Sequence, residues 1–246
     1  MTGKDRGVFV ATDEVLEWLL PWWWGNYSET NKLPVCFGDF GMSDRARRWC
    51  QARGLYVLIS LEHLRMADKE RIGSARLQEW EKNLSPFWGS RGAWFKKPFG
   101  MLASPFEETL WMDLDCEVMG AIEPVFEHLK SSFCLMKLRE EGKKVLYNSG
   151  VVVFRKGSPV LPVYADYAMR YNHKFLGDQD ALSELIYKKK FQVDSLPDIY
   201  NWQMCRGLNI AAKILHWTAG WGKEYIRRYG GLRHRLACSL HPGMRV

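Results

Sequence analysis

The sequence has no apolar stretch of the length that a membrane-spanning helix requires. We also expect no secretory signal peptide, because residues 1–6 are polar and the apolar run at residues 8–11 is too brief. None of the six cysteines forms a C-x-x-C pair, so a zinc site has little support and buried thiols of a reducing compartment are expected. We therefore expect a cytoplasmic protein, and peripheral contact with the inner membrane surface stays open.

The composition disfavours both disorder and a nucleic-acid function. Hydrophobic residues make up 47% of the 246 residues and charged residues 26%, which is typical of a folded domain with a sizeable core. The 35 basic and 28 acidic side chains give a net charge of +7, which favours anionic partners such as phosphates. No basic stripe interleaved with aromatic residues occurs before residue 227, so we expect no nucleic-acid partner.

Apolar runs of strand type alternate with helical patterns in the first part of the chain. The strand-type runs occupy residues 7–11, 33–37 and 54–59, with helical patterns between them at residues 14–24 and 45–53. This order predicts an α/β protein with a parallel sheet and helices on its faces. The run Trp22-Trp23-Trp24 lies on the first of these helices, where core packing is favoured over a platform for an acceptor. Residues 61–96 are polar and irregular, which suits a loop or lobe over an active site.

Two carboxylates follow a later strand-type run. Residues 108–112 predict a strand, and Asp113-Leu114-Asp115 comes at its carboxyl end, the end at which open α/β sheets bind ligands. Residues i and i+2 of a strand point the same way, so the two carboxylates repel each other unless a cation lies between them. Oxygen ligands suit Mn²⁺ or Mg²⁺, which can bridge a diphosphate. A surface turn after a strand is the alternative.

Four further polar motifs lie beside apolar segments, and each alone also has an ordinary structural explanation. They are Asn148-Ser149-Gly150, Asp178-Gln179-Asp180, Leu196-Pro197-Asp198-Ile199-Tyr200-Asn201 and His216-Trp217-Thr218-Ala219-Gly220-Trp221-Gly222-Lys223. The first precedes an apolar strand, where a turn is common, and Asp178 is a candidate helix N-cap. A histidine that follows an apolar pair is more often structural than a ligand.

In order along the chain, these motifs resemble those of glycosyltransferase family 8, the group of glycogenin-like enzymes and bacterial lipooligosaccharide galactosyltransferases. Members of that family have an A-(A/T)-D strand end, a D-x-D motif, an N-(S/A)-G strand, a D-Q-D or D-Q-G helix start, an L-P-x-x-Y-N segment and a C-terminal H-x-x-G-x-x-K. Ala11-Thr12-Asp13 supplies the first of these here. The last motif departs from the pattern, since Gly220 comes four positions after His216 and no Pro-Trp follows Lys223. Each motif is weak alone, but six in the same order are improbable by accident.

The resemblance implies an α/β protein of the GT-A fold, with a single, mainly parallel central sheet and helices on both faces. It implies a GT-A domain over residues 1–223 and a basic tail over residues 224–246. The implied activity is that of a retaining hexosyltransferase. Such an enzyme moves a hexose from a nucleotide-sugar donor, here a UDP-sugar, to a glycan, glycolipid or protein acceptor with the help of Mn²⁺ or Mg²⁺.

The resemblance also implies a role for each matched residue. The cation ligands would be Asp113, Asp115 and His216. The donor would be bound by Ala11 and Asp13 at the base, by Asn148, Ser149, Asp178, Gln179 and Asp180 at the sugar, and by Gly220 and Lys223 at the diphosphate. Gln179, beside Asp178, would hold the catalytic position nearest the anomeric carbon. Lys97 or its neighbour Lys96 stands where many members have an arginine near the phosphates, and the sequence does not choose between them.

Three alternatives stay open. A D-x-D motif also begins the chemistry of haloacid-dehalogenase phosphatases, but on their first strand, whereas a long segment precedes Asp113 here. A non-catalytic module of the same fold would bind a nucleotide-sugar or a glycan without turnover. The tail from Arg227 onward contains Arg228, Arg233, Arg235 and Arg245 and no acidic residue, so it fits either an amphipathic segment on anionic lipid or a solvated basic tail.

Overall fold

The computed structural model describes residues 5–142 and 144–234 of the chain. Its strands are β1 (Arg6–Thr12), β2 (Val35–Asp39), β3 (Leu55–Leu58), β4 (Glu108–Met112), β5 (Cys116–Val118), β6 (Phe133–Glu141), β7 (Lys144–Arg155), β8 (Asp194–Ser195), β9 (Trp202–Gln203) and β10 (Ile214–His216). Its α-helices are α1 (Leu19–Ser28), α2 (Asp44–Gln51), α3 (Ser74–Leu84), α4 (Arg91–Phe95), α5 (Lys97–Leu102), α6 (Val160–Tyr171), α7 (Asp178–Lys189) and α8 (Ala219–Tyr229). Over these residues, no helix is both long and apolar enough to cross a bilayer.

The central sheet has seven strands in the order β3-β2-β1-β4-β7-β6-β8. Neighbouring strands pair in parallel except on the two sides of β7, so β7 alone runs against the other six. The alternation of strands and helices in the first part of the chain explains the parallel half, because parallel neighbours need a crossover connection. The predicted α/β sheet is therefore confirmed, and it is mixed rather than wholly parallel.

Both faces of this sheet are buried. Along β1, Val8 and Val10 pack into one core cluster and Phe9 into the other, as expected when successive side chains alternate across a strand. Phe9 stacks on Trp111 of β4 with ring centroids 5.8 Å apart, and burying a ring of this size contributes about 1.5–3 kcal/mol. Trp23 of α1 is fully buried in the first cluster, which confirms the predicted core position of this tryptophan.

The sequence predicted a single sheet, whereas the structure also has a second sheet of three strands in the order β5-β10-β9. β5 follows the D-x-D motif directly and pairs antiparallel with β10, which places Cys116 opposite His216. Glu117 of β5 is fully buried and accepts hydrogen bonds from Trp217 Nε1 and from the backbone N–H groups of Leu232 and Arg233. Sequence periodicity could not show this sheet, because β9 has two residues and β10 three.

The C-terminal segment is tied to the domain as far as residue 234. Helix α8 continues through the predicted boundary between residues 223 and 224, and its Ile226 is buried. Three arginines of the predicted basic tail are paired with glutamates of the chain, Arg227 and Arg228 with Glu224, and Arg233 with Glu29. These arginines are therefore engaged within the protein. Arg235 and Arg245, the other two arginines of the predicted tail, lie outside the described residues.

Residues 61–96 are more regular than the predicted irregular lobe, because α3 and α4 occupy much of the segment. Arg91 of α4 is buried, and its guanidinium lies 4.8 Å from the ring centroid of Trp80 in α3. Its N–H groups donate to the backbone carbonyls of Asn172, Phe175 and Leu176 at 2.7–3.0 Å. Carbonyl groups beyond a helix end need donors and carry partial negative charge. Arg91 thus joins the lobe to the segment between α6 and α7.

Candidate active site

The candidate site lies where β1 and β4 end. These strands are parallel neighbours, so Asp13, directly after β1, and Asp113, directly after β4, are brought to the same edge of the sheet. β7 pairs antiparallel with β4, and the Asp113 N–H donates to the Gly150 carbonyl at 2.8 Å. This pairing places Asn148 and Ser149, both buried within β7, beside the D-x-D motif. The pairing register therefore joins two motifs that lie far apart in the sequence.

The first D-x-D carboxylate, that of Asp113, is held by Lys97. Lys97 Nζ donates to Asp113 Oδ2 at 2.6 Å, and Trp111 Nε1 donates to Asp113 Oδ1 at 3.0 Å. Burial raises the pKa of Asp113, and Lys97 opposes only part of that shift. Burial alone would lower the pKa of Lys97, but the carboxylates of Asp113 and Asp178 outweigh it and raise the pKa. Lys97 is therefore a buried cation between two acidic side chains.

The two neighbouring lysines have different partners. Lys97 Nζ also lies 3.3 Å from Ser149 Oγ and 3.7 Å from Asp178 Oδ2. Lys96 Nζ instead donates to Asp13 Oδ2 at 2.7 Å. Lys97 thus faces the D-x-D motif and the residues expected at the sugar, whereas Lys96 pairs with the residue expected at the base.

The second D-x-D carboxylate, that of Asp115, faces two residues from the C-terminal part of the chain. Asp115 is 7% exposed. Lys223 Nζ of α8 donates to its Oδ2 at 2.5 Å, and His216 Nε2 of β10 lies 3.4 Å from its Oδ1. Burial alone would raise the pKa of Asp115, but Lys223 and His216 outweigh it and hold the pKa well below its usual range. Asp115 is therefore an ionised carboxylate in a buried position.

The donors around Asp115 fit a divalent cation of the Mn²⁺ or Mg²⁺ type. Within the described residues, the ligand atoms of Asp115, Cys116 and His216 lie within 4.8 Å of one another. Burial raises the pKa of the Cys116 thiol well above its usual value, so this thiol is protonated and a poor ligand. Adjacent ligands on bonds of about 2.1 Å are about 3 Å apart in an octahedral site, close to the 3.4 Å between Asp115 and His216. Asp113, the other predicted carboxylate ligand, does not belong to this group of ligand atoms, because its Oδ2 accepts the hydrogen bond from Lys97 Nζ.

The predicted sugar-facing residues surround the N-terminus of α7. Asp178 Oδ2 accepts hydrogen bonds from Ser149 Oγ at 2.6 Å and from the Tyr164 hydroxyl at 2.7 Å. Asn148 Nδ2 donates to Gln179 Oε1 at 3.3 Å. Asp178 is the first residue of the helix rather than the N-cap that the sequence also allowed. The cap position belongs to Gly177, whose N–H donates to Asp180 Oδ2 at 3.1 Å.

The imidazole of His216 packs directly against the backbone of β7. A Cβ atom built on Gly150 would lie 2.0 Å from His216 Cε1, so the glycine is required for this approach. His216 Nδ1 lies 2.9 Å from Asn201 Oδ1, and both side chains are buried. Asn201 closes the L-P-x-x-Y-N segment but had no role in the sequence prediction. Tyr164 was missed altogether, because a tyrosine in an apolar helix carries no signal of its own.

The departure in the last motif has a backbone explanation. Ala219, three positions after His216 where the family pattern has glycine, has a positive φ of 65°. Gly220 is exposed, and Gly222 packs so closely on the preceding turn that a Cβ would lie 2.4 Å from the Trp217 carbonyl oxygen. The conformation that favours glycine thus falls on Ala219. The extra residue lies between Ala219 and Lys223, whose ammonium group still reaches Asp115.

Replacing Ala219 with glycine is expected to stabilise the protein by about 1 kcal/mol, because a side chain in the left-handed region costs about 1–2 kcal/mol. Urea unfolding would measure the change. Ala75→Gly, at an exposed position of α3, is the matched control and should lose about 0.5–1 kcal/mol. Equal losses for the two variants would show that Ala219 carries no backbone strain.

Comparison with known proteins identifies the fold. No protein-family model matches the sequence, and no curated protein matches it. The galactosyltransferase LgtC, solved with donor and acceptor sugar analogues, superposes with a TM-score of 0.57 at 13% identity, over 90% of this chain and 94% of that chain. The glycosyltransferase GlyE of Streptococcus pneumoniae TIGR4 has a TM-score of 0.57 at 19% identity, over 89% of this chain and 55% of that chain. Mouse xyloside xylosyltransferase 1 has a TM-score of 0.53 at 14% identity, over 86% and 97%.

The chain has the GT-A glycosyltransferase fold. The predicted fold is therefore confirmed. The alternative of a haloacid-dehalogenase phosphatase is excluded, because D-x-D follows the fourth strand of the chain and not the first. Within this GT-A fold, strand ends and crossovers bring residues from 13 to 223 to one edge of the central sheet.

Proposed function

We propose that the chain is a retaining glycosyltransferase that moves a hexose from a UDP-sugar to a glycan, glycolipid or protein acceptor with a divalent cation. The observation that carries this is the contact of Asp115 with His216 and Lys223, which lie about a hundred positions further along the chain, at a GT-A sheet edge where Asp115 and His216 are buried. A carboxylate, an imidazole and an ammonium group together suit a cation and a diphosphate.

The cation, Mn²⁺ or Mg²⁺, would be held by Asp113, Asp115 and His216. When bound, it would neutralise the negative charge that develops on the leaving nucleoside diphosphate. The carboxylate of Asp115 carries negative charge for this, and its burial excludes the water that would otherwise screen it. Asp113 would have to exchange its bond with Lys97 for this role.

Lys97 and Lys223 would bind the phosphate oxygens of the leaving group. Each ammonium group lies on one D-x-D carboxylate, at 2.6 Å from Asp113 and 2.5 Å from Asp115. A diphosphate arriving with its cation offers these lysines new anionic partners while the cation takes over the carboxylates. Donors placed where charge develops lower the barrier to departure. Donor and cation are therefore expected to bind cooperatively.

The sugar would be held by Asn148, Asp178 and Gln179. Asp178 is a poor nucleophile, because its Oδ2 already accepts hydrogen bonds from Ser149 and Tyr164 and lies 3.7 Å from Lys97. The Gln179 amide carries no charge with which to attack. A covalent intermediate is thus disfavoured. The acceptor hydroxyl would attack from the face that the leaving group departs, and a phosphate oxygen would take its proton.

A binding module without turnover is the second candidate. The ion pairs of both D-x-D carboxylates with lysines favour it, because they neutralise the motif without any metal. Intact Asp113, Asp115, Gln179 and His216 favour the enzyme. The two candidates share the donor site and differ in whether the glycosidic bond to phosphate breaks.

A screen of UDP-sugars with Mn²⁺ tests the proposed function. We expect one donor to raise the melting temperature only when Mn²⁺ or Mg²⁺ is present, with about 2.7 kcal/mol of stabilisation at a hundred times its Kd. We expect the same mixture to release UDP slowly, and EDTA to stop the release. Tight binding without release would identify the binding module. No binding of any UDP-sugar with either cation would refute the proposed donor class.

A further inference from the structure

A backbone N–H determines how the amide of Asn148 is oriented. The Gly150 N–H donates to Asn148 Oδ1 at 2.9 Å. A backbone N–H can only donate, so the Asn148 atom that faces it must be the carbonyl oxygen. Both residues lie in the buried part of β7, where strand pairing holds the backbone in place. The usual ambiguity between the oxygen and nitrogen of an asparagine amide is thereby removed at this position.

The amide of Asn201 is oriented in turn by Asn148. Asn201 is fully buried, and the side-chain atom that meets Asn148 Oδ1 at 2.8 Å must be its NH₂ group, since two carbonyl oxygens would repel. The other end of the same amide, Asn201 Oδ1, therefore faces His216 Nδ1, at 2.9 Å. A carbonyl oxygen can only accept, so Nδ1 of His216 carries a proton.

We propose that Asn201 is a positioning residue that holds a proton on Nδ1 of His216 and so leaves the lone pair of Nε2 available to a cation bound beside Asp115. The part played by the cation rests on the function proposed above. In neutral imidazole a proton on Nδ1 leaves Nε2 without one, and Nε2 is the nitrogen that lies 3.4 Å from Asp115 Oδ1. The chain of hydrogen bonds runs from the Gly150 N–H through Asn148 and Asn201 to His216.

Ring position and proton position are controlled by different groups. The packing of the His216 ring on Gly150 limits where the imidazole lies, whichever nitrogen carries the proton. Asn201 and Asp115 act on different nitrogens, because Asn201 Oδ1 lies 2.9 Å from Nδ1 and Asp115 Oδ1 lies 3.4 Å from Nε2, so each favours a proton on the nitrogen that it faces. His216 is 4% exposed, so water cannot readily replace the amide. Loss of Asn201 should therefore leave the ring near its place and shift its proton toward Nε2, which faces Asp115.

Nitrogen-15 NMR of the metal-free protein at neutral to mildly alkaline pH tests the tautomer directly. His216 is assigned by the signals that vanish in His216→Gln. We expect Nδ1 of the wild-type ring to carry a proton, and Asn201→Leu to shift that proton toward Nε2, which faces Asp115. A wild-type ring with its proton on Nε2, or an unchanged tautomer in Asn201→Leu, would overturn the proposed role. This measurement needs no donor and no cation.

Mn²⁺ titration provides a second readout. Removing a partner that orients a metal-bound histidine weakens metal affinity by about 10–100-fold, and we expect a loss of that size for Asn201→Leu. Asn201→Asp keeps an oxygen facing Nδ1–H, so it should restore most of the affinity although it places a second oxygen against Asn148 Oδ1. Wild-type affinity in Asn201→Leu, or no recovery in Asn201→Asp, would contradict the positioning role.

Asn31→Leu is the matched control. Asn31 is 6% exposed, accepts a hydrogen bond from the Ile122 N–H and donates to the Gly120 carbonyl, outside the candidate site. It should lose stability comparably to Asn201→Leu while its Mn²⁺ affinity and His216 tautomer stay at wild-type values. If wild-type protein fails to bind Mn²⁺, the metal role in the proposed function is refuted, and the tautomer spectrum alone then decides the role of Asn201.

Discussion

Asp115→Asn is expected to lower Mn²⁺-dependent release of nucleoside diphosphate from the donor by about 100-fold or more, the size of effect seen when one charge-stabilising group is removed from an active site. The substitution keeps the shape of the side chain and removes its charge. Lys223 would lose the carboxylate that it contacts at 2.5 Å, and His216 Nε2 would face a neutral amide instead of an anion. Because Asp115 is buried, solvent cannot supply the missing charge.

The release assay needs a control for the loss of a hydrogen-bonded carboxylate as such. Asp194 of β8 accepts hydrogen bonds from the Lys130 N–H and from both the N–H and the hydroxyl of Ser131. β8 is the outermost strand of the central sheet, and β7 and β6 separate it from β4. Asp194→Asn should unfold at lower urea but keep its rate of release per folded molecule. A rate in Asp115→Asn within a few-fold of wild type, with unchanged dependence on Mn²⁺, would show that Asp115 does not bind the cation.

Gly150→Ala is expected to remove Mn²⁺ binding and to destabilise the fold. The new methyl group would lie 2.0 Å from His216 Cε1, 2.7 Å from Nδ1 and 2.9 Å from Nε2, so the imidazole must move. Inserting a methyl group into a packed interior costs about 1–3 kcal/mol, and occasionally more. The same methyl group in an uncrowded strand would be tolerated or favourable. The loss therefore reports the contact between the β7 backbone and His216.

Gly25→Ala is the matched control for this substitution. Among the described residues, apart from its chain neighbours and the nearby backbone of the helix, no atom lies within 4 Å of the position that a Cβ would occupy on Gly25, which is exposed in α1. Alanine should stabilise this helix by about 0.5–1 kcal/mol and leave Mn²⁺ affinity unchanged. Equilibrium unfolding and a Mn²⁺ titration measure both variants. If Gly150→Ala keeps wild-type stability and affinity, His216 does not pack against β7 in the way described.

Much of the central sheet could be predicted from local patterns. Short apolar runs at residues 8–11, 110–112 and 151–154 mark the positions of β1, β4 and β7 in the sequence. The place of Asp113 at the end of β4 followed in the same way, because a strand ending in two carboxylates is visible in the sequence. The lobe at residues 61–96 was misjudged as irregular. Arg91 of α4 donates to carbonyl groups of residues 172–176, and local patterns do not include contacts over such a separation.

The choice between Lys96 and Lys97 shows where local reasoning stops. Adjacent residues of helical segments point about 100° apart, so both lysines cannot face one carboxylate. Which of them does so depends on how α5 packs against the end of β4, and the structure places Lys97 on Asp113 and Lys96 on Asp13. The same applies to Asn201, whose partners Asn148 and His216 belong to two different sheets.

The sequence by itself determined the α/β class, the strand that carries the D-x-D motif and the order of the motifs, because each of these depends on residues close together in the chain. Tertiary structure alone decided which side chains meet. Asp115 contacts Lys223 because β5 pairs with β10, and α8, which follows β10, brings the Lys223 ammonium group to the Asp115 carboxylate. His216 carries a proton on Nδ1 because the Gly150 N–H, in the central sheet, orients Asn148, which in turn orients Asn201 toward the imidazole. Contacts across such separations depend on strand register and helix packing, which no local pattern encodes.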